Sequence, residues 1–343
     1  MKKKPSVMLI YTGGTIGMIE DSRSGELRSF DFSHLYNHLP ELRKLNIEIS
    51  ATALRKPIDS SDMNPDVWIE LVNIIEKNYS KHDGFVLLHG SDTMSYTASA
   101  LSFLLENLSK PVILTGSQLP IGIIRTDGKE NLITAIEIAG AKKNGKHIVP
   151  EVAVYFEFKL YRGNRTHKIS AEQFQAFQSP NYPVLAEVGV HLKFNESILL
   201  KANAKKLKVH KKLNSNIAIL KIFPGITKNF VDSVFHADGI KAIILETFGS
   251  GNAPTDKWFL DSLKKAIDRG IIILNVTQCA TGAVQQGKYQ TSSGLRKIGV
   301  IGGGDLTTEA AVTKMMFLLG ENLPTAKIKK MLSLSLRGEM TNK

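Results

Sequence analysis

Short apolar runs alternate with longer stretches of helical spacing along most of this chain, and that alternation limits the fold more than any other feature. Val7 to Tyr11, Phe85 to Leu88, Val112 to Leu114 and Val152 to Phe158 read as buried strands; Asp83-Gly84 and Pro111 mark two of their starts. Ala98 to Leu108 and Asn131 to Ala139 space their apolar residues as helices do. Strands and helices in alternation build parallel βαβ units, so the pattern predicts an α/β layered domain.

From Lys193 to Lys212 the alternation lapses. Lys201, Lys205, Lys206, Lys208, Lys211 and Lys212 crowd a stretch of weak periodicity, which reads as a basic connector. Strands then resume at Ile217 to Phe223, Ala242 to Leu245 and Ile271 to Val276. Helices are expected at Asn229 to His236, Lys257 to Arg269 and Glu309 to Leu319. The division expected is a larger α/β domain at 1–192, a connector at 193–212 and a smaller α/β domain at 213–343. A chain of 343 residues is long enough for each domain to bury its own core.

The 44 Lys and Arg against 32 Asp and Glu leave a net charge of +12, which brings nucleic acid and acidic membranes into consideration as partners. Nucleic acid is not expected, because the basic stretch has no interleaved aromatic residues on which bases would stack. The N-terminal Lys2-Lys3-Lys4 precedes an apolar run that stops at Tyr11, shorter than a secretory segment and far below the roughly 20 residues of a membrane span. No membrane partner is expected. The single Cys279 has no internal disulfide partner, which favours a reducing cytoplasm.

Ligands of open α/β sheets bind beyond the carboxyl ends of the strands. Three loops there are rich in glycine and hydroxyls: Thr12-Gly13-Gly14-Thr15-Ile16-Gly17, His89-Gly90-Ser91-Asp92-Thr93-Met94 and Thr115-Gly116-Ser117-Gln118. Glycines let backbone N–H groups approach a ligand, and Thr15 and Ser91 offer hydroxyls to attack or hold an electrophile. Nucleotide binding is disfavoured, since neither G-x-G-x-x-G nor G-x-x-x-x-G-K-[ST] occurs. There is no G-x-S-x-G elbow, and no cluster has metal-ligand spacing, so neither a metal nor a cofactor is expected. A hydroxyl needs a base to become a nucleophile. Asp92 adjoins Ser91, His89 reads as a packed strand-end residue, and Lys168 can relay a proton between a carboxylate and a hydroxyl.

The runs Tyr11 to Gly17, Asp59-Ser60-Ser61-Asp62-Met63, His89 to Met94, Tyr161-Arg162-Gly163-Asn164-Arg165, Gly249-Ser250-Gly251-Asn252-Ala253-Pro254 and Gly302-Gly303-Gly304-Asp305 resemble those of bacterial-type L-asparaginases, above all the type I cytoplasmic branch. The resemblance covers nearly the whole chain. It implies a two-domain asparaginase/glutaminase-like fold, each domain holding a mainly parallel sheet flanked by helices. It also implies hydrolysis of L-asparagine to L-aspartate and ammonia. Carried over residue by residue, it makes Thr15 the nucleophile and Ser91, Asp92 and Lys168 a second triad. Asp59, Ser60, Ser61 and Asp92 fall at the substrate's α-carboxylate and α-ammonium, and Gly14, Gly116 and Ser117 around the reacting amide. Asn252 would reach a neighbouring subunit's site in a dimer or tetramer. Glutaminase activity beside asparaginase is the alternative within the enzyme class, because one methylene is worth only about 1–3 kcal/mol of discrimination. An amino-acid sensor that binds without turnover is the alternative outside it.

The chain departs from the family at named positions. Ser91 stands where relatives carry Thr. The stretch Glu20 to Phe30 lacks the Tyr that closes over the site in relatives. The effector site for asparagine found in some type I enzymes would have Glu246 in place of an Arg and His167 in place of a Thr, with Cys279 retained.

Overall fold

The computed structural model describes residues 4–20, 27–29, 39–287 and 290–342. The chain divides into two compact units, one ending at Lys211 and the other beginning at Lys212. In the first unit the strands of the main sheet are β1 (Ser6–Tyr11), β2 (Glu48–Ala53), β3 (Gly84–Leu88), β4 (Val112–Thr115), β5 (Val152–Phe156), β6 (Lys159–Arg162), β7 (Ala186–Val188) and β8 (Leu192–Phe194). They form one sheet in the order β8-β7-β6-β5-β4-β3-β1-β2. The five strands β2, β1, β3, β4 and β5 run parallel, and an antiparallel meander of β6 to β8 extends one edge.

Every residue of β3, β4 and β5 is buried, as a parallel sheet covered on both faces requires. On one face Val7, Leu9, Val86, Leu88 and Ile113 pack with Leu132, Ala135, Ile136 and Ala139 of helix α3 (Gly128–Gly140). Helices α1 (Pro65–Asn78) and α2 (Met94–Leu104) precede it in the chain. Asn64 caps α1 by accepting the N–H groups of Asp66 and Val67, with Pro65 at the first helical position. Trp68, Leu71, Val72 and Ile75 make its buried stripe.

Two expectations change. The run Val152 to Phe158 is not one strand: it ends at Phe156, and Glu157 and Phe158, at φ of 47° and 65°, turn the chain back into β6. Helix α2 starts at Met94 and stops at Leu104, because Leu105–Glu106 leave it to pair with Lys208–Val209. That pairing, and strand β8 at Leu192–Phe194, tie much of the 193–212 stretch to the first unit rather than leaving it as a free connector.

In the second unit β9 (Ile217–Lys221), β10 (Ala242–Thr247), β11 (Ile272–Thr277) and β12 (Ile301–Gly302) form a wholly parallel sheet in sequence order. Its helices are α4 (Lys228–His236), α5 (Lys257–Asp268), α6 (Gln290–Ile298), α7 (Thr308–Gly320) and α8 (Thr325–Leu332). Ile243, Leu245 and Ile273 meet Val231, Phe235, Phe259 and Leu263 in its core.

Lys314 of α7 and Glu339 are both fully buried and lie 2.7 Å apart. Glu339 also accepts the backbone N–H groups of Leu336 and Arg337, and Lys314 donates to the Leu334 carbonyl, so the C-terminal segment is pinned to α7. Lys314→Met strands a carboxylate in the interior and is expected to destabilise this unit by about 3–5 kcal/mol, read as a lowered urea midpoint.

Candidate active site

The chain order of the parallel strands in the first sheet reverses at β1, which has β2 on one side and β3 on the other. The loops that follow β1 and β3 therefore leave the sheet in opposite directions and open a crevice beyond its carboxyl edge. Thr12 to Gly17 and His89 to Met94 are those two loops.

The Thr12 loop is held at both ends. Thr12 donates its N–H and its hydroxyl to the Leu88 carbonyl, each at 3.0 Å, and Ile58 N–H donates to the Thr12 carbonyl. Gly14 has a φ of 86°, and a Cβ there would sit 2.5 Å from the Gly90 nitrogen. Only glycine lets the two loops lie this close. Thr15 opens a turn of 3-10 helix, Thr15–Gly17, and is partly exposed while Ile16 and Gly17 are buried. The Tyr11 ring lies against Gly17 and its hydroxyl donates to the Gly17 carbonyl, fixing the far end of the turn.

Ser91, Asp92 and Lys168 come together. The Lys168 ammonium donates to Ser91 Oγ at 2.8 Å and to Asp92 Oδ1 at 2.6 Å. Lys168 arrives from the opposite side of the sheet order, on the short pair His167–Lys168 with Phe177–Gln178 that follows β6. Its side chain is 17% exposed against 64% for Asp92, so the ammonium sits inside the crevice and the carboxylate at its mouth. Ser91 in turn donates its hydroxyl proton to Gln118 Oε1 at 3.2 Å. The Ser91 hydroxyl is thus held between one ammonium donor and one amide acceptor.

The Asp59–Ser61 turn abuts the same place. A Cβ on Gly90 would meet Ser60 Oγ at 2.5 Å, and Thr93 Oγ1 donates to the Ser60 carbonyl. Asp59 accepts both the N–H and the hydroxyl of Ser61 at 2.8 Å, and these hydrogen bonds hold its carboxyl below the usual carboxylate range. In this arrangement Asp59 shapes the turn.

After β4, Asn131 donates to the Gly116 carbonyl, and the Asp127 carboxylate accepts the N–H groups of Gln118 and Leu119. Ser117 is buried with its hydroxyl on the Leu119 carbonyl at 2.6 Å.

His89 is buried beneath the crevice. Burial pushes the imidazole down to about 4 and keeps it neutral; its Nδ1–H donates to the Gly90 carbonyl, so Nε2 accepts from the Thr97 hydroxyl, whose oxygen accepts from Trp68 Nε1. His147, pushed down to about 4 by burial and by the nearby Lys142, behaves alike. The unfolded chain takes up these protons near pH 6.5 and the folded chain only near 4, so stability falls as pH drops through that window. The denaturation midpoint is expected to decline from pH 6.5 to 4.5, and less steeply in His89→Gln.

Asn252 lies in the second unit, in a tight turn where its N–H and carbonyl pair with Phe248. Glu246, at the end of β10, accepts the Thr308 hydroxyl at 2.6 Å, Cys279 is exposed, and His167 is exposed in the strand pair with Gln178. Most of the stretch in which the loop Tyr is lacking lies outside the described residues. Among the described residues no group of three or more His, Cys, Asp or Glu side chains is placed to hold a metal ion, and no helix is long and apolar enough to cross a membrane. Gln118, Asp127 and Asn131 join the site without having been singled out from the sequence. The one available signal was Gln118's place in the third strand-end loop.

Two family models match the chain: "Asparaginase, N-terminal" over residues 6–200 and "Glutaminase/Asparaginase C-terminal domain" over residues 216–332. L-asparaginase 1 of Escherichia coli K12 is 44% identical over 344 residues, 99% of each chain. The 60 kDa lysophospholipase of Mus musculus is 39% identical over 358 residues, 98% of this chain and 62% of its own. The crystal structure of L-asparaginase I from Vibrio cholerae superposes with a TM-score of 0.90 at 38% identity, over 99% of this chain and 100% of that one. With both domains matched and the sequence likeness running end to end, this chain belongs to the asparaginase family.

Proposed function

We propose that this protein hydrolyses the side-chain amide of L-asparagine to L-aspartate and ammonia, with Thr15 as the nucleophile. The observation that carries the reading is the Lys168 ammonium set between Ser91 and Asp92, on the β3 side of a crevice whose β1 side is the Thr15 turn. The full-length likeness to an L-asparaginase supports the substrate class.

In the first half-reaction Thr15 Oγ bonds to the amide carbon, the hydroxyl proton passes to the departing nitrogen, and ammonia leaves a β-aspartyl ester on Thr15. Water then attacks the ester carbon, and its proton returns to Thr15 Oγ as aspartate is freed. Ser91, Asp92 and Lys168 carry these protons, and the backbone N–H groups of the glycine loops stabilise the oxyanion of each tetrahedral intermediate. Ser60, and Ser61 once its hydroxyl turns from Asp59, hold the α-carboxylate and Asp92 the α-ammonium, matching each charge of the zwitterion with its opposite or with donors. Gly14, Gly116 and Ser117 line the amide end. Asp59 acts by holding Ser61 in place. The presence of a complete nucleophile and relay set favours turnover over a sensor, which needs no nucleophile.

Ammonia release measured with asparagine and glutamine in parallel tests the reading. Turnover of asparagine with glutamine well behind supports it. Comparable rates make the enzyme a mixed glutaminase-asparaginase, and no ammonia from either makes it a binding protein. The working form is a homo-oligomer in the cytoplasm, in which Asn252 completes a neighbour's site. Its activity is expected to fall on dilution below the assembly's dissociation range. Asparagine saturation is expected to be hyperbolic: Glu246 presents an anion, already engaged by Thr308, where an effector carboxylate would need a cation.

A further inference from the structure

Ser91 is the weak point of the relay. Serine lacks the γ-methyl that restricts χ1 of threonine, so its hydroxyl is free to swing among three rotamers unless something else holds it. The structure supplies two holds. Lys168 donates to Ser91 Oγ, which leaves the hydroxyl one proton to place, and the acceptor it meets is Gln118 Oε1. The amide of Gln118 is itself oriented: Nε2 donates to the Gln173 carbonyl at 3.1 Å, and since that carbonyl only accepts, the oxygen must face Ser91. The backbone of Gln118 is anchored as well, its N–H shared by both oxygens of the Asp127 carboxylate. Asn131 links Asp127 to the Gly116 carbonyl and accepts the Glu157 N–H.

We infer that Gln118 is a positioning residue for the reaction: its side-chain oxygen fixes the rotamer and proton direction of Ser91, replacing the restraint a γ-methyl would give. This rests on the reading above in which Ser91 takes part in proton transfer. Gln118 bridges the loop after β4 to the segment after Lys168, with Ser91 on its oxygen and the Gln173 carbonyl on its nitrogen.

The test is a double-mutant cycle on asparagine turnover with thermal midpoints alongside. Gln118→Met removes the acceptor at similar length and is expected to lower kcat about tenfold or more while KM moves less than about threefold. In the Ser91→Thr background, where the methyl now restrains χ1, the same change is expected to cost less than about threefold. Gln118→Glu keeps an acceptor oxygen for Ser91 but loses the donor to Gln173 and adds a negative charge near Lys168; it is expected to lose kcat, yet to retain more of it than Met does. Equal losses in both backgrounds, equal losses for Glu and Met, or an unchanged kcat in Gln118→Met would overturn the inference. Ser91→Ala is run beside them: an unimpaired kcat there defeats the role of Ser91 itself, whereas a loss there with none in Gln118→Met defeats only the role of Gln118.

Discussion

Thr15→Ala is expected to lower kcat on asparagine by about four orders of magnitude or more, while the thermal midpoint stays within a few degrees of the parent. The size follows from removing the atom that forms the new bond, since nucleophile deletions elsewhere cost on the order of 10⁴–10⁶ in kcat. Neutral stability follows from placement. Thr15 is the partly exposed first residue of its turn, and the buried anchors are Ile16, Gly17 and the Tyr11 ring beneath them. Ammonia release and thermal unfolding, measured on one preparation, check both halves. Turnover near the parent's would remove Thr15 from the chemistry.

Lys168→Met is expected to lower kcat by about a thousandfold, because Ser91 then has no ammonium to exchange protons with and Asp92 no partner to hold it. Its effect on stability is expected to be within about 1 kcal/mol, since Asp92 is 64% exposed and water solvates the carboxylate left behind. Lys314→Met is the opposite case. There the abandoned Glu339 is wholly buried, so the same substitution damages the fold and leaves the crevice of the first unit untouched. Steady-state kinetics and urea titrations of both variants separate a lysine placed for proton transfer from one placed for structure. A Lys168→Met enzyme that kept most of its kcat would contradict the relay.

The central parallel strands were legible because they are buried on both faces and so read as unbroken apolar runs: Val7 to Tyr11, Phe85 to Leu88 and Ile271 to Val276 differ from the observed strands by a residue or two. Strand β2 left no such trace. It is an edge strand whose residues are exposed or half exposed, and its alternating face of Ile49, Ala51 and Ala53 has only one large apolar residue, too weak a signal to stand out. Helix α1 carries a start signal in Asn64-Pro65 and a stripe at Trp68, Leu71, Val72 and Ile75, so it was legible in the sequence though not among the helices expected. The turn at Glu157-Phe158 was hidden because non-glycine residues hold the positive φ.

The site shows the same division. Loops that follow strands could be found by position, and Ser91, Asp92 and Lys168 meet as the motif implied. Gln118 and its Asp127 and Asn131 supports are ordinary polar residues at unremarkable spacings. Their part depends on which carbonyls and N–H groups the loop after β4 presents, which only the folded backbone decides.

The covalent step can be observed directly by mixing enzyme with asparagine, quenching in acid within one turnover and locating the added mass by peptide mapping. One aspartyl group in ester linkage is expected on the peptide carrying Thr15, and none in Thr15→Ala. An aspartyl group on Ser91 instead, or a burst of ammonia with no group on Thr15, would contradict it.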